Sequence, residues 1–174
     1  MTEPVRIRRA TVADAVDVAT IGARTFHETF AADNRPDDMA AHLAASFGVP
    51  QQTEELLSAD YVTLLAYAGA TLVAFAQVRR KTPPACIEGP APVELHRFYV
   101  DRQWHGLGVA ATLMAASVDA IHALGGRTAW LSVWERNPRA RAFYAKCGFR
   151  QTGTAEFWVG PDCQTDHILE RAIG

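Results

Sequence analysis

Residues Glu94–Met114 read ELHRFYVDRQWHGLGVAATLM, and their reading decides the fold. β-forming residues run from Glu94 to Val100, a short loop follows, and Gly106 and Gly108 open an apolar pattern that predicts a helix from Leu107 to Leu124. Glycines at such a junction let backbone N–H groups approach a ligand, and the helix dipole adds positive potential there, so the junction suits a phosphate. A glycine-relieved turn before an ordinary helix has the same local pattern. Two phosphate motifs are excluded. A Walker A loop needs Lys-Ser/Thr after its glycine, whereas Gly108 is followed by Val109-Ala110. A dinucleotide fingerprint needs a different spacing: its third small residue would fall at Ala110 or Ala111, and the next strand ends Val133-Trp134-Glu135.

Working outward, Gly125-Gly126 closes the helix and Thr128 to Trp134 reads as a buried strand. Asn137-Pro138 is an N-cap with proline in the first turn, and Cys147-Gly148 ends that helix. Two strands, Phe149 to Val159 and Gln164 to Ala172, close the chain. Upstream, Val5 and Ile7 alternate with Arg6 and Arg8 as a first strand. Thr11 caps a helix with Asp14 at the capping-box position, and Val12, Val16, Ala19, Ala23, Phe26 and Phe30 form its expected apolar stripe. Pro36 starts a second helix that Gly48 ends, and Pro50 begins a shorter one through Leu57. Tyr61–Ala68 and Thr71–Val78 form a hairpin about Gly69-Ala70, and proline-rich Lys81–Pro92 is a loop. The order β-α-α-β-β-β-α-β-α-β-β predicts an α/β fold: a mixed sheet with helices on both faces.

The chain has 174 residues, which fits a single domain spanning 1–174. Seventeen Lys and Arg against nineteen Asp and Glu give a net charge of −2, without the basic excess of a nucleic-acid binder. No apolar run approaches the ~20 residues of a membrane span, and Met1 to Arg9 lack a signal-peptide core, so a cytoplasmic location is expected. Cys86, Cys147 and Cys163 form neither a disulfide framework nor a zinc pattern, and His27, His42, His122 and His167 share no ligand spacing; no metal is expected.

The glycine segment resembles the signature of the general N-acetyltransferase (GNAT) superfamily, Gln/Arg-x-x-Gly-x-Gly/Ala. Gln103–Gly108 satisfies the pattern literally. His105-Gly106-Leu107-Gly108-Val109-Ala110 keeps the family's usual distance from the strand end, with His105 standing where Gln or Arg is usual. A second block agrees: Trp130–Pro138, then a helix ending Phe143-Tyr144-Ala145-Lys146-Cys147-Gly148-Phe149. The strand Arg97–Val100, the run Thr25–Phe30 and Val133-Trp134-Glu135-Arg136-Asn137 are similar to the spermidine/spermine N-acetyltransferase branch. The resemblance implies a seven-stranded, mostly antiparallel sheet with one splayed parallel pair. It implies acetyl-CoA as cosubstrate and direct attack of a primary amine on the thioester.

The same resemblance implies roles for particular residues. Tyr144 is the expected general acid and Glu94 the expected general base, with His96, two residues on along the same face, as a rival base. Phe98, Tyr99 and Val100 would offer backbone groups to the pantetheine arm, and His105, Gly106, Leu107, Gly108, Val109 and Ala110 would cradle the pyrophosphate. Asn137, Ala140, Phe143 and Lys146 are further cofactor contacts, with Arg141 beside Lys146. At the acceptor, Glu28 and Trp134 are the expected contacts; Asp33, Asp37 and Asp38 cluster nearby, and Trp158 is a further wall candidate. The expected activity is acetyl transfer to a small-molecule amine, polyamine or amino-acid-like, by a homodimer. Transfer of another short acyl group and a non-catalytic acyl-CoA sensor stand as alternatives.

Overall fold

In the computed structural model, which describes residues 4–174, the first strand β1 (Val5–Arg9) forms one edge of a seven-stranded sheet. Three helices follow: α1 (Ala15–Phe30), α2 (Pro36–Phe47) and α3 (Val49–Leu57). Then come β2 (Tyr61–Ala68), β3 (Thr71–Arg79), β4 (Pro92–Val100), α4 (Val109–Ala123), β5 (Thr128–Trp134), α5 (Pro138–Lys146), β6 (Arg150–Val159) and β7 (Asp162–Ala172). The sheet order is β1-β2-β3-β4-β5-β7-β6, and every pairing is antiparallel except β4 with β5. This is the mixed α/β sheet with helices on both faces that the sequence predicts. The short helix is a separate third one before β2, because extended backbone at Gly48 and proline in the first turn start a new helix there.

The first helix keeps the later part of its expected stripe and loses the start. A 3-10 turn at Val12–Asp14 precedes α1, with Thr11 N–H donating to Asp14 Oδ2 at 2.7 Å. The buried face is Ala15, Val18, Ala19, Ile21, Gly22, Thr25, Phe26 and Phe30, so Ala19, Phe26 and Phe30 of the expected stripe lie on it. Val12 and Val16 fall outside it, at 46% and 60% exposed. Gly22 is required by close approach: a Cβ there would lie 2.4 Å from Phe47 Cδ1.

The parallel pair holds together only at its start. Pro92–Glu94 pair with Thr128–Trp130, and beyond them β4 follows β3 while β5 follows β7. The cause is a bulge. Gln77 pairs with Arg97 and Val78 with Leu95, so His96 is an extra residue in β4. Val93 and Leu95 join the core under α4 before the bulge, and Phe98 and Val100 pack against it afterwards. One inserted residue shifts the alternation, so Arg97 and Tyr99 face the α1–α3 side instead.

Arg97 is held there by a buried network. Its Nη1 donates to Glu55 Oε2 and Gln77 Oε1, both at 2.5 Å, and Nη2 donates to the Ser46 carbonyl at 3.0 Å. The guanidinium lies 4.8 Å from the Phe47 ring centroid. Gln77 Nε2 in turn donates to Gln52, Glu55 and Thr63. Removing one partner of such a pair strands a buried charge. Arg97→Ala should therefore lower the unfolding free energy by about 3–5 kcal/mol, measured by urea denaturation at neutral pH.

Candidate active site

Where β4 and β5 part, the sheet opens into a cavity of about 850 Å³. Its walls come from both faces: the loop before α4 and the face of α5 on one side, α1 and α2 on the other.

The loop is built from its ends. Asp101 Oδ1 accepts from Gln103 N–H at 3.1 Å, and Asp101 Oδ2 accepts from Arg24 Nη2 at 2.8 Å. His105 Nε2 lies 2.8 Å from the Val100 carbonyl, so its N–H ties the loop back to the strand end. Gly106 and Gly108 take left-handed backbone at φ +78° and +83°, with open space where a Cβ would stand. Only glycine adopts that backbone cheaply. The first N–H groups of α4 therefore reach the cavity mouth without an intrahelical partner, and no acidic residue sits in that turn. Arg102 and Arg139 line the same cavity. The mouth suits an anion.

On α5, Asn137 Oδ1 caps the helix by accepting from Ala140 N–H at 3.1 Å. Asn137, Ala140, Phe143 and Tyr144 all face the cavity. The Tyr144 ring is packed edge-on against Phe98 and Phe149. Burial, with the neighbouring Tyr99 and Cys147, pushes its pKa above the ordinary phenol value. The hydroxyl stays protonated at neutral pH.

On β4, Glu94 and His96 share the cavity wall, with Glu94 Oε1 3.8 Å from His96 Nδ1. Arg79 Nε donates to Glu94 Oε2 at 2.5 Å, and Arg79 Nη1 to the Tyr61 hydroxyl at 3.0 Å. Burial alone would raise the Glu94 pKa, but His96 and Arg79 outweigh it and hold it down at about 2. Burial also lowers the His96 pKa, against the pull of Glu94 and with Arg97 and Arg79 adding to it. The pair at neutral pH is thus an ionised carboxylate beside a neutral imidazole.

The opposite end is aromatic and acidic. Phe30 stands 5.4 Å from Trp134 and 6.3 Å from Phe157, ring centroid to centroid, and Phe26 stacks on His42 at 4.6 Å. Glu28, Glu156 and Asp166 line this cavity too. Asp166 is 8% exposed, and its Oδ1 is buried with no hydrogen-bond partner. Burial, with nearby Glu135, pushes its pKa up to about 6.

The structure therefore gathers on one cavity Glu94, Phe98, Tyr99, Val100, His105, Gly106, Gly108, Ala110, Asn137, Ala140, Phe143, Tyr144, Glu28 and Trp134. It leaves others of the expected set off its wall. Val109 is buried in the core, Leu107 is 53% exposed, and Lys146 lies on the exposed side of α5. Arg141 instead donates to the Glu135 carbonyl at 3.2 Å. Asp37 and Asp38 sit in the first turn of α2, Asp37 exposed and Asp38 half-buried against Gly160, and Trp158 is 53% exposed on β6. Sequence reasoning missed Arg79, His42, Phe157 and Asp166. For Asp166 a signal existed: it shares a strand face with Ile168, an acid where an apolar residue belongs.

Among the described residues no helix is long and apolar enough to cross a membrane, and no His/Cys/Asp/Glu group is arranged to hold a metal ion. The model of the acetyltransferase (GNAT) family matches residues 24–149. An uncharacterized N-acetyltransferase of Mycobacterium tuberculosis is 29% identical over 160 residues, covering 92% of this chain and 98% of its own. Another, from the pepI 3′ region of Lactobacillus delbrueckii subsp. lactis, is 24% identical over 169 residues, covering 97% and 98%. Among solved structures, the PaiA N-acetyltransferase of Thermoplasma acidophilum in complex with coenzyme A superposes with TM-score 0.79 at 18% identity, over 97% of this chain and 99% of that one. A GCN5-related N-acetyltransferase of Rhodopseudomonas palustris gives TM-score 0.74 at 18% identity, over 99% and 98%.

The Asp166 carboxyl binds its proton more tightly in the fold than in the unfolded chain. Its contribution to stability is therefore complete below about pH 4 and lost as pH rises through about 6. Asp166→Asn should be more stable than wild type at pH 8, by roughly 1–3 kcal/mol, with the gap narrowing at pH 5. Urea denaturation at the two pH values measures it.

Proposed function

Since the chain belongs to the acetyltransferase (GNAT) family and is an N-acetyltransferase, we propose that its cavity holds acetyl-CoA along β4 and serves a primary amine of a small molecule. The observation that carries this reading is the parted β4–β5 edge, with the glycine loop at one end and the Tyr144 hydroxyl on its wall. The glycine backbone and open space fit a pyrophosphate, held by N–H groups of residues 106–110. The unpaired edge of β4 at Phe98–Val100 fits the amide-bearing pantetheine arm, with Asn137, Ala140 and Phe143 facing it across the gap. The thioester supplies an acyl carbon that a neutral amine attacks directly.

Tyr144 then donates its proton toward the leaving sulfur, the role its raised pKa supports. On the other side the amine must lose a proton. Glu94 lines the site, but His96 and Arg79 keep its carboxylate a weak acceptor. Neutral His96 beside it is the better acceptor, and ionised Glu94 stabilises the imidazolium that forms. Glu28 and Trp134 contribute to an acceptor end between α1, α2 and the β6–β7 pair. Its aromatic lining favours a small amine.

Calorimetry with acetyl-CoA, CoA and ATP tests the cofactor. The first two should bind in the micromolar range and ATP should be silent. In a transfer assay with spermidine, spermine and amino-acid amines, Tyr144→Phe should lower kcat by about 100-fold or more, while acetyl-CoA affinity stays within a few-fold. Unchanged kcat would remove Tyr144 from the chemistry. Absent acetyl-CoA binding would overturn the reading.

A further inference from the structure

We infer that Tyr61 and Arg79 are positioning residues for the transfer: together they hold Glu94 by one oxygen, so that its other oxygen fixes the His96 proton on Nδ1 and leaves Nε2 bare to receive the amine's proton. The inference rests on the function proposed above and names the residues that prepare its base.

The four side chains form a closed cycle across three strands. Tyr61 on β2 stands opposite Arg79 on β3, and Arg79 stands opposite Glu94 on β4. His96 is the extra residue of the bulge, so no β3 residue pairs with it. Its ring meets the Tyr61 ring edge-on, 6.3 Å between centroids, and closes the cycle. Arg79 and Glu94 are largely buried, with side chains 16% and 7% exposed.

Arg79 holds Glu94 in an unusual way. Arginine frequently grips a carboxylate with two parallel bonds. Arg8 does so with Asp14, one nitrogen to each oxygen. Arg79 does not: its Nε donates to Oε2, while its Nη1 donates to the Tyr61 hydroxyl. Among the described residues nothing donates to Oε1, and His96 Nδ1 stands 3.8 Å from it. Pinned at Nη1 by Tyr61, the guanidinium does not turn Nη2 onto Oε1. Glu94 is thereby anchored and ionised, yet one oxygen is kept for the imidazole. A carboxylate oxygen facing Nδ1 favours the tautomer with the proton there. A purely structural ion pair would not need that division.

The charges around His96 come from several elements. Glu94 and Arg97 lie on its own strand, Arg79 on β3 and Tyr61 on β2. Arg97 is matched by Glu55 from α3. β5 places uncharged Trp130 opposite Glu94, and Glu170 beyond it on β7 is taken up by Arg150. Burial lowers the imidazole pKa, Glu94 raises it, and Arg97 and Arg79 lower it. Arg79 thus acts on His96 in two opposed ways: directly as a cation, and through the oxygen it leaves free. Substitution separates the two.

Histidine NMR on the free protein is the test, with His96→Gln assigning the resonance. Wild type at pH 7.5 should show the Nδ1–H tautomer. Arg79→Gln removes the cation and should raise the His96 pKa by about half a unit or more; Arg79→Lys should recover most of that shift. Tyr61→Phe frees Arg79 to take both Glu94 oxygens, so it should lower the pKa and bring in the Nε2–H tautomer. A general loosening of the site would not give opposite signs. In the transfer assay, ionisation of the amine and of Asp166 cancels from the ratio of variant to wild-type kcat/KM. That ratio should rise with pH for Arg79→Gln and fall for Tyr61→Phe. An Nε2–H tautomer in wild type, shifts that are absent or of equal sign in the two variants, or ratios that do not move with pH would overturn the inference. Tyr61→Phe is nearly isosteric, and the direction of its shift decides alone should Arg79→Gln not fold. The NMR needs no cofactor: the Nδ1–H tautomer and opposed shifts, without acetyl-CoA binding, would sink the proposed function and leave the hold on His96 standing.

Discussion

Arg97 carries a buried charge, and much of the site follows from how that charge is matched. Its partners come from α3, β3 and the carbonyl of Ser46 at the end of α2. They can meet it only because the bulge at His96 turns Arg97 toward the helices. The same bulge ends the pairing of β4 with β5 and creates the gap. One extra residue thus opens the cavity, and one buried ion pair holds the helical wall of the acceptor side at a set distance from it. A buried pair is weak evidence for stability in itself. Here its consequence is positional, because it leaves the network few alternative geometries.

The charges in the cavity are distributed unevenly, and the unevenness assigns roles. At the glycine loop, free N–H groups and two arginines give positive potential. Beside β4, His96 and Arg79 outweigh burial and hold Glu94 in its ionised form, a fixed negative neighbour for His96. Burial keeps Tyr144 protonated. At the far end the acids are left uncompensated. A donor anion and a cationic acceptor would therefore be drawn to opposite ends of one cavity, which orients both before any chemistry occurs.

Sequence-level reading reached the parts made by neighbours along the chain. The glycine loop, the Asn137 cap and the helix carrying Tyr144 are each encoded within about ten residues, so their type, order and place on the cavity were legible. The residues that escaped depend on register. Arg79 meets Glu94 because β3 and β4 pair antiparallel across a bulge, and Asp166 meets Trp134 through the β5–β7 ladder. Neither spacing carries that information until the strands are aligned. Of the α1 stripe, Ala19, Phe26 and Phe30 are buried as expected, while Val12 and Val16 are exposed because a 3-10 turn changed the phase before the helix began and packing at Gly22 and Phe47 chose the face. Lys146 and Val109 sit within the right motifs, yet their helical phase turns them away from the cavity.

These two kinds of residue divide the sheet. The half that fits a donor is made of short motifs and backbone N–H groups, so most side-chain changes there do little unless they touch a glycine or Tyr144. The acceptor half is assembled from side chains on α1, α2, β6 and β7 that are distant in sequence. A substitution at Phe157 or Asp166 can reshape that end without moving a single backbone group of the loop. Asp166 itself carries a stability cost, because packing would favour a neutral side chain at a buried position with no counter-charge.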